Sequence, residues 1–129
     1  MKVVIVGAGK LGLKVANTLL GGDHDVTIID TNEDILQKIS SQMDVMTINA
    51  NAKEINGLKR IKIASYDFMI TTTGDDEENI VISAFAKSLG CKKAIARVRD
   101  PEHMQQISFI KEIMGIDHIV NPDLGITVE

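Results

Sequence analysis

Residues 3–12 read VVIVGAGKLG, an apolar run that passes directly into a turn with three spaced glycines. The apolar run predicts a buried strand, and Gly7 permits the tight turn after it because glycine has no Cβ. Gly9 lets the backbone approach a ligand closely, and Gly12 lets the next helix pack against the strand. This stretch therefore predicts a strand, a tight turn on which a phosphate group could lie, and a helix, in that order.

A second strand-like run, VTII at residues 26–29, ends in Asp30, 18 residues after Gly12. An acid at the tip of a second strand either caps the following turn or accepts hydrogen bonds from a ribose diol. Unpaired N–H groups at the first helix start would hold the phosphates. We therefore predict an adenine nucleotide site, with NAD(H) as the first candidate ligand and ATP or ADP as alternatives.

The composition is that of one soluble globular domain: 44% of the 129 residues are hydrophobic and 25% are charged. A net charge of −4 argues against a nucleic-acid partner, which would favour a basic face. The single Cys91 cannot form an internal disulfide, which is typical of a cytoplasmic protein. Since no segment is apolar enough over a sufficient length, we expect no direct membrane insertion.

Strand and helix patterns alternate along the chain in six units. Strands are expected over 2–6, 25–29, 45–48, 68–72, 94–98 and 118–120. Helices are expected over about 11–20, 53–60, 75–89 and 101–114, with one more capped by Asn32. This alternation predicts an α/β, Rossmann-like, doubly wound parallel sheet of six strands in the order 3-2-1-4-5-6, with helices on both faces. Pro122 and Gly125 are expected in a short tail.

Apolar residues recur at helical spacing in the later helices. The helix over 75–89 is apolar around more than one face, so its extra surface packs either in a thick core or against a second protomer. Two further stripes are expected, each on one face of its helix: Ile35, Leu36 and Ile39, and Ile107, Ile110 and Met114.

Three further stretches indicate which protein family the chain is similar to: ANA at residues 50–52, TGDDEEN at 73–79 and ARVRDPE at 96–102. Together with the glycine turn, they resemble the N-terminal nucleotide-binding domain of Trk/Ktr-type potassium transport regulators, also called the RCK, KTN or TrkA-N domain. The resemblance covers essentially the whole chain. It implies one RCK/KTN-type domain over residues 1–129, without the second C-terminal lobe into which full-length regulators usually continue.

The same resemblance implies a function. Such domains are cytoplasmic, form homodimers or larger rings, and gate a membrane potassium transporter or channel subunit through a nucleotide-dependent conformational change. Asp30 would take the adenosine ribose, Asn51 would lie beside the adenine, and Lys10 would lie near the terminal phosphate. The full implied cofactor-binding set is Gly7, Ala8, Gly9, Lys10, Leu11, Gly12, Asp30, Thr31, Asn51, Ala52, Thr73, Gly74, Asp75 and Arg97.

Several of these residues allow two interpretations. Lys10 contacts either the ligand or only solvent, and Arg97 contacts either phosphate or a neighbouring protomer. The acidic run at 75–78 either stabilises its own helix N-terminus or binds a cation that bridges to a nucleotide. Residues 50–53 read ANAK where the family more often has Gly-Asp-Ala-Thr, so Asn51 offers an adenine edge an amide instead of a charge.

An enzyme is the alternative function, as the NAD-binding domain of an oxidoreductase. A dehydrogenase needs a second domain to hold its substrate and supply an acid or base, and six strand–helix units use up this chain. His24, His103 and His118 show no metal-ligand spacing, and His103 is expected on the exposed side of a helix start. We therefore expect a regulator with no catalytic residues and no metal site.

Overall fold

The structure is a computed structural model that describes residues 1–121 and 126–128, apart from the side chains of Ile110 and 126–128. The expected tail residues Pro122 and Gly125 lie outside the described residues. The strands are β1 Lys2–Val6, β2 Asp25–Asp30, β3 Met46–Asn49, β4 Phe68–Thr71, β5 Lys93–Arg97, β6 His118–Asn121 and β7 Ile126–Val128. The helices are α1 Lys10–Leu20, α2 Glu33–Gln42, α3 Ile55–Arg60, α4 Asp76–Ser88 and α5 Pro101–Met114, with a 3-10 turn at Ile63–Ser65.

The sheet order is β3-β2-β1-β4-β5-β6-β7, and β1 to β6 are all parallel. The predicted fold and the order 3-2-1-4-5-6 are confirmed. A seventh strand, β7, was not predicted from the sequence; it pairs antiparallel with β6 from Asn121↔Ile126 to Ile119↔Val128. Three residues are too few for an alternating pattern to stand out, so only the pairing with β6 identifies β7 as a strand.

Apolar residues of the parallel strands alternate between the two faces of the sheet. α1 and α2 cover one face, where Val3, Ile5 and Ile28 are buried. On the other face, α3 and α4 cover Val4 and Met69, while α5 packs over β5 and β6. The doubly wound arrangement therefore leaves the carboxyl ends of β1 to β4 as an open edge between the helix layers.

Most helix ends follow the predicted caps. The Asn32 side chain accepts a hydrogen bond from Ile35 N at 3.2 Å, and Asp100 caps α5, where Pro101 occupies the first turn. α3 begins at Ile55, two residues after the expected start, because the preceding residues form a turn in which Glu54 N donates to Asn51 O at 3.1 Å.

One expected stripe is only partly buried. Leu36 and Ile39 are buried against the sheet, but Ile35 is 37% exposed because it lies at the edge of this face of α2. Ile107 is buried as expected, and Met114 packs against its cluster. None of the helices in the described part of the chain combines the length and hydropathy that crossing a bilayer requires.

The apolar faces of α4 are both used within the protomer. Ile82 packs in the core over β1 and β4, and Ile80 packs with the residues of β5, β6 and α5. The thick-core interpretation therefore accounts for most of this helix, leaving Val81 39% exposed. The two most exposed large apolar side chains among the described residues lie on α5 instead: Phe109 is 90% and Ile113 88% exposed, and neither was singled out from the sequence.

Candidate functional site

The glycine turn between β1 and α1 is constrained at two of its three glycines. Gly7 has φ +109°, in the region that glycine favours, and a Cβ there would lie 2.8 Å from Thr72 Oγ1. A Cβ on Gly12 would overlap the carbonyl oxygen of Gly7, so helix and turn touch at this point. These glycines are needed for the turn itself.

Gly9 and Gly74 differ from the other two. A Cβ built on either would meet no atom of the described residues within 4 Å. Gly9 is the residue before the first turn of α1, and its backbone is extended, with φ −80° and ψ −167°. Packing within the protein therefore does not require glycine at these positions, whereas a phosphate seated on the backbone would require it.

Asp30 joins the glycine turn to the start of α2. Its Oδ2 accepts a hydrogen bond from Ala8 N at 2.8 Å, and its Oδ1 accepts one from Asn32 N at 2.9 Å. The turn-capping interpretation of Asp30 is therefore correct. A carboxylate has about four acceptor positions, so two remain for a ribose diol. These two hydrogen bonds fix the Asp30 carboxylate in place, and its contact with a ribose stays a prediction.

A cavity of about 350 Å³ opens at the carboxyl edge of the sheet. Its lining combines apolar side chains with polar and charged ones, the combination expected for a flat heterocycle with polar substituents. Six of the predicted residues line it: Gly7, Asp30, Thr31, Asn51, Ala52 and Thr73. None of the remaining lining residues was predicted as a site residue, and Lys53 and Glu78 are the charged ones among them: Val6, Ile29, Ala50, Lys53, Glu78 and Ile82.

The other predicted residues lie outside this cavity. Ala8, Gly9, Lys10, Leu11 and Gly12 form the turn and the first turn of α1 beside it. Gly74 and Asp75 line a second, more open depression of about 580 Å³ together with Asp76, Glu77, Arg99, Asp100 and His103.

Arg97 stabilises the loop after β4 through two hydrogen bonds. Its Nη1 donates to the carbonyl oxygens of Thr72 at 3.3 Å and Thr73 at 3.4 Å, and Arg97 does not line the cavity. Contact of Arg97 with phosphate or with a second protomer stays a prediction.

Two polar residues that the sequence analysis missed position this loop. Thr72 Oγ1 donates to the carbonyl oxygen of Val6 at 2.9 Å, which ties β4 to the glycine turn. Asn79 is fully buried, and its Oδ1 accepts from Thr73 N at 3.1 Å and Thr73 Oγ1 at 2.7 Å. Its Nδ2 donates to the carbonyl oxygens of Thr73 at 3.0 Å and Arg97 at 2.9 Å. Two sequence signals were available for Asn79: it is a polar residue beside the apolar run of α4, and it ends the stretch TGDDEEN that carries the family resemblance.

The acidic run stabilises its own helix and the loop after β5. Asp75 Oδ1 accepts from Glu78 N at 3.0 Å, which caps α4. Asp76 accepts hydrogen bonds from Arg99 N and Asp100 N, both at 2.9 Å. Among the described residues, no three His, Cys, Asp or Glu side chains form a group that could hold a metal ion. The hydrogen bond from Glu78 N to Asp75 favours the helix-capping interpretation of the run.

His103 was expected on the exposed side of its helix, but its side chain lies against Asp76 instead. Its Nδ1 lies 3.0 Å from Asp76 Oδ2, and its side chain is only 32% exposed. The hydrogen bond to Asp76 raises the pKa of His103 above its ordinary value of 6.5. Burial of Asp76 opposes its ionisation, but the N–H donors of Asp100, His103 and Arg99 outweigh burial and lower the pKa of Asp76.

Comparisons with known proteins agree with this architecture. The chain is 33% identical over 123 residues to a Trk system potassium uptake protein TrkA homolog of Methanothermobacter thermautotrophicus, covering 95% of this chain and 55% of the relative. It is 33% identical over 129 residues to the corresponding homolog of Archaeoglobus fulgidus, of which it spans 29%. The chain thus spans about half or less of the length of these curated relatives.

Solved structures share the fold. The TrkA-N domain of the Escherichia coli inner membrane protein ybaL superposes with a TM-score of 0.81 at 20% identity, over 95% of this chain and 88% of that domain. The GsuK channel bound to NAD superposes with a TM-score of 0.79 at 18% identity, over 92% of this chain and 21% of that chain. GsuK bound to ADP gives the same TM-score over 93% of this chain and 31% of that one. The model of the TrkA-N domain matches residues 3–122, and the chain therefore belongs to the TrkA-N family.

Proposed function

We propose that this chain is the nucleotide-binding regulatory domain of a potassium uptake system or channel. The observation that supports this most directly is the open space at Gly9 beside the fixed carboxylate of Asp30. Phosphates would lie on the backbone at the N-terminus of α1, where unpaired N–H groups and the helix dipole favour anions. The ribose would lie at Asp30 and the base in the cavity beyond it.

The ligand is proposed to be NAD(H), with ATP or ADP as alternatives. All of these share a diphosphate, a ribose and an adenine, which are the groups that the turn, Asp30 and the cavity would hold. Structural relatives with this fold bind NAD or ADP, which supports the same ligand class here.

Coupling to a partner would pass through the loop after β4. Thr73 lines the cavity, and Asn79 ties Thr73 to the end of β5, from which α5 follows. A ligand that pulls this loop towards the cavity would therefore displace β5 and α5 relative to β1 and β2. The ligand shifts such an equilibrium only by its difference in affinity between the two states.

We also propose that the chain forms a homodimer or a larger ring. Phe109 and Ile113 are one helical turn apart on α5, and both are almost fully exposed. Large apolar side chains exposed side by side favour an interface. The partner outside the ring would be a membrane potassium transporter or channel subunit, which would place this domain at the cytoplasmic face of the membrane. This role is regulatory and not enzymatic.

The test is calorimetric titration with NADH, NAD, ATP and ADP, without and with magnesium, together with light scattering for the mass. Selective binding coupled to a dimer or larger assembly supports the proposal. Binding of NAD(H) alone by a monomer whose conformation does not change would instead indicate the cofactor domain of an oxidoreductase. No binding of any of the four would refute the nucleotide site.

A further inference from the structure

An ion pair crosses the cavity between the loop after β3 and the first turn of α4. Lys53 Nζ lies 2.9 Å from Glu78 Oε1, and both side chains line the cavity with Asp30 and Asn51. The residues are 25 positions apart in the chain and belong to opposite sides of the crevice. The pair therefore lies where the base of a nucleotide with its ribose at Asp30 would be.

Asn51, which the family resemblance places beside the adenine, is already engaged. Its Oδ1 accepts a hydrogen bond from Lys53 N at 3.0 Å, and its Nδ2 lies 3.4 Å from Glu54 Oε1. The turn before α3 therefore uses one of the two acceptor positions on this oxygen and fixes the orientation of the amide, which leaves one position for a ligand.

Glu78 has acceptor capacity left. Lys53 occupies its Oε1, and no donor among the described residues bonds its Oε2. An ionised carboxylate only accepts hydrogen bonds, so a group that faces Glu78 across the cavity must be a donor. Its side chain is 35% exposed, which leaves it accessible to a ligand while the ion pair restricts its orientation.

We propose that Glu78 is the residue that selects the base, and that it selects a purine with an exocyclic amino group at position 6. Adenine presents a donor there, whereas hypoxanthine and guanine present an oxygen acceptor that a carboxylate repels. Lys53 is a positioning residue, which holds the carboxylate at the cavity wall. This assignment rests on the proposed nucleotide site and adds to it the residue that reads the base.

The experiment compares NAD with nicotinamide hypoxanthine dinucleotide, which replaces the 6-amino group by oxygen and makes N1 a donor instead of an acceptor. Calorimetry on the full 129-residue chain gives the ratio of the two dissociation constants. We expect wild type to prefer NAD by about tenfold, since a hydrogen bond to a partly exposed charged group is worth about that much. AMP and IMP give the same comparison without the nicotinamide half.

Glu78→Gln is the decisive variant. A glutamine amide both donates and accepts, so we expect the preference for the amino purine to fall below about threefold. Lys53→Met keeps the aliphatic stem but frees the carboxylate, so its ratio is expected between those of wild type and Glu78→Gln. Glu77→Gln is the matched control because it removes the same charge from the same helical turn outside the cavity, and it should keep the wild-type ratio.

The outcomes separate the two proposals. Equal affinity of wild type for both dinucleotides, or an unchanged ratio in Glu78→Gln, would overturn the role of Glu78. If Asp30→Ala then weakens both ligands equally, the nucleotide site itself still stands. A wild-type ratio in Lys53→Met would remove Lys53 from the assignment, and no binding of any nucleotide by wild type would overturn both proposals.

Discussion

Gly9→Ala and Gly12→Ala are expected to act on different properties of the domain, although both add one methyl group to the same turn. A Cβ added to Gly12 would overlap the Gly7 carbonyl, whereas a Cβ added to Gly9 would enter open space. Gly12→Ala should therefore lower the stability of the folded domain. Gly9→Ala should leave the fold largely intact and block the ligand.

The structure sets the magnitudes. The φ and ψ of Gly9 are allowed for alanine, so the stability cost is that of replacing a capping glycine, about 0.5–1 kcal/mol. The methyl group would occupy the place of a phosphate, and we expect nucleotide affinity to fall at least about tenfold, or about 1.4 kcal/mol. Overpacking at Gly12 costs about 3 kcal/mol, which for a domain of this size lowers Tm by about 10 °C.

Thermal unfolding monitored by circular dichroism measures the stability change, and calorimetric titration with NADH and ATP measures the affinity. Gly9→Ala should unfold within about 4 °C of wild type yet bind both nucleotides poorly. Wild-type affinity in a folded Gly9→Ala protein would refute the reasoning, because the phosphates would then lie away from the N-terminus of α1. Gly12→Ala with wild-type Tm would show that the turn can shift to admit the methyl group.

Three further predictions follow from other contacts. Asp30→Ala should weaken NAD binding more than tenfold, about 1.4 kcal/mol, while unfolding still occurs in one cooperative transition; unchanged affinity in calorimetry would place the ribose elsewhere. The pair of His103 and Asp76 should stabilise the domain fully between pH 3.8 and pH 6.5, with the contribution lost as pH rises through the elevated pKa of His103 or falls through the lowered pKa of Asp76. Wild type should therefore lose more Tm than His103→Gln between pH 6 and pH 8, and parallel curves would argue against it. Replacing Phe109 and Ile113 together by aspartate should reduce the light-scattering mass to that of one 14.1 kDa chain, whereas an unchanged assembly would move the interface away from α5.

The sequence was sufficient for the sheet order and the glycine turn, because both depend on patterns local to a strand–helix unit. The apolar run before Gly7 and the acid at Asp30 each mark the end of a strand, and parallel pairing brings those ends together. The exposure of Ile35 shows the limit of such patterns, since helical spacing places neighbouring residues on a stripe without fixing its edge.

Contacts between distant residues could not be predicted in this way. Lys53 meets Glu78 and Asp76 meets His103 across 25 and 27 positions, and both contacts depend on how two loops pack at the sheet edge. Each of these residues has the sequence pattern of an ordinary charged or polar surface residue. Only the three-dimensional arrangement shows that one pair lines the cavity while the other joins α4 to α5.

The buried amide of Asn79 has a consequence for how this protein tolerates mutation. Its side chain makes all four of its hydrogen bonds with Thr73 and Arg97, so it needs both a donor and an acceptor at one fixed length. Aspartate lacks the donors, glutamine is one methylene too long, and leucine can make none of these bonds. Position 79 should therefore accept almost no replacement in a saturation screen, although its side chain lies outside the cavity lining. Mutations at position 79 would then abolish function, although a search for residues that contact the ligand would not identify this position.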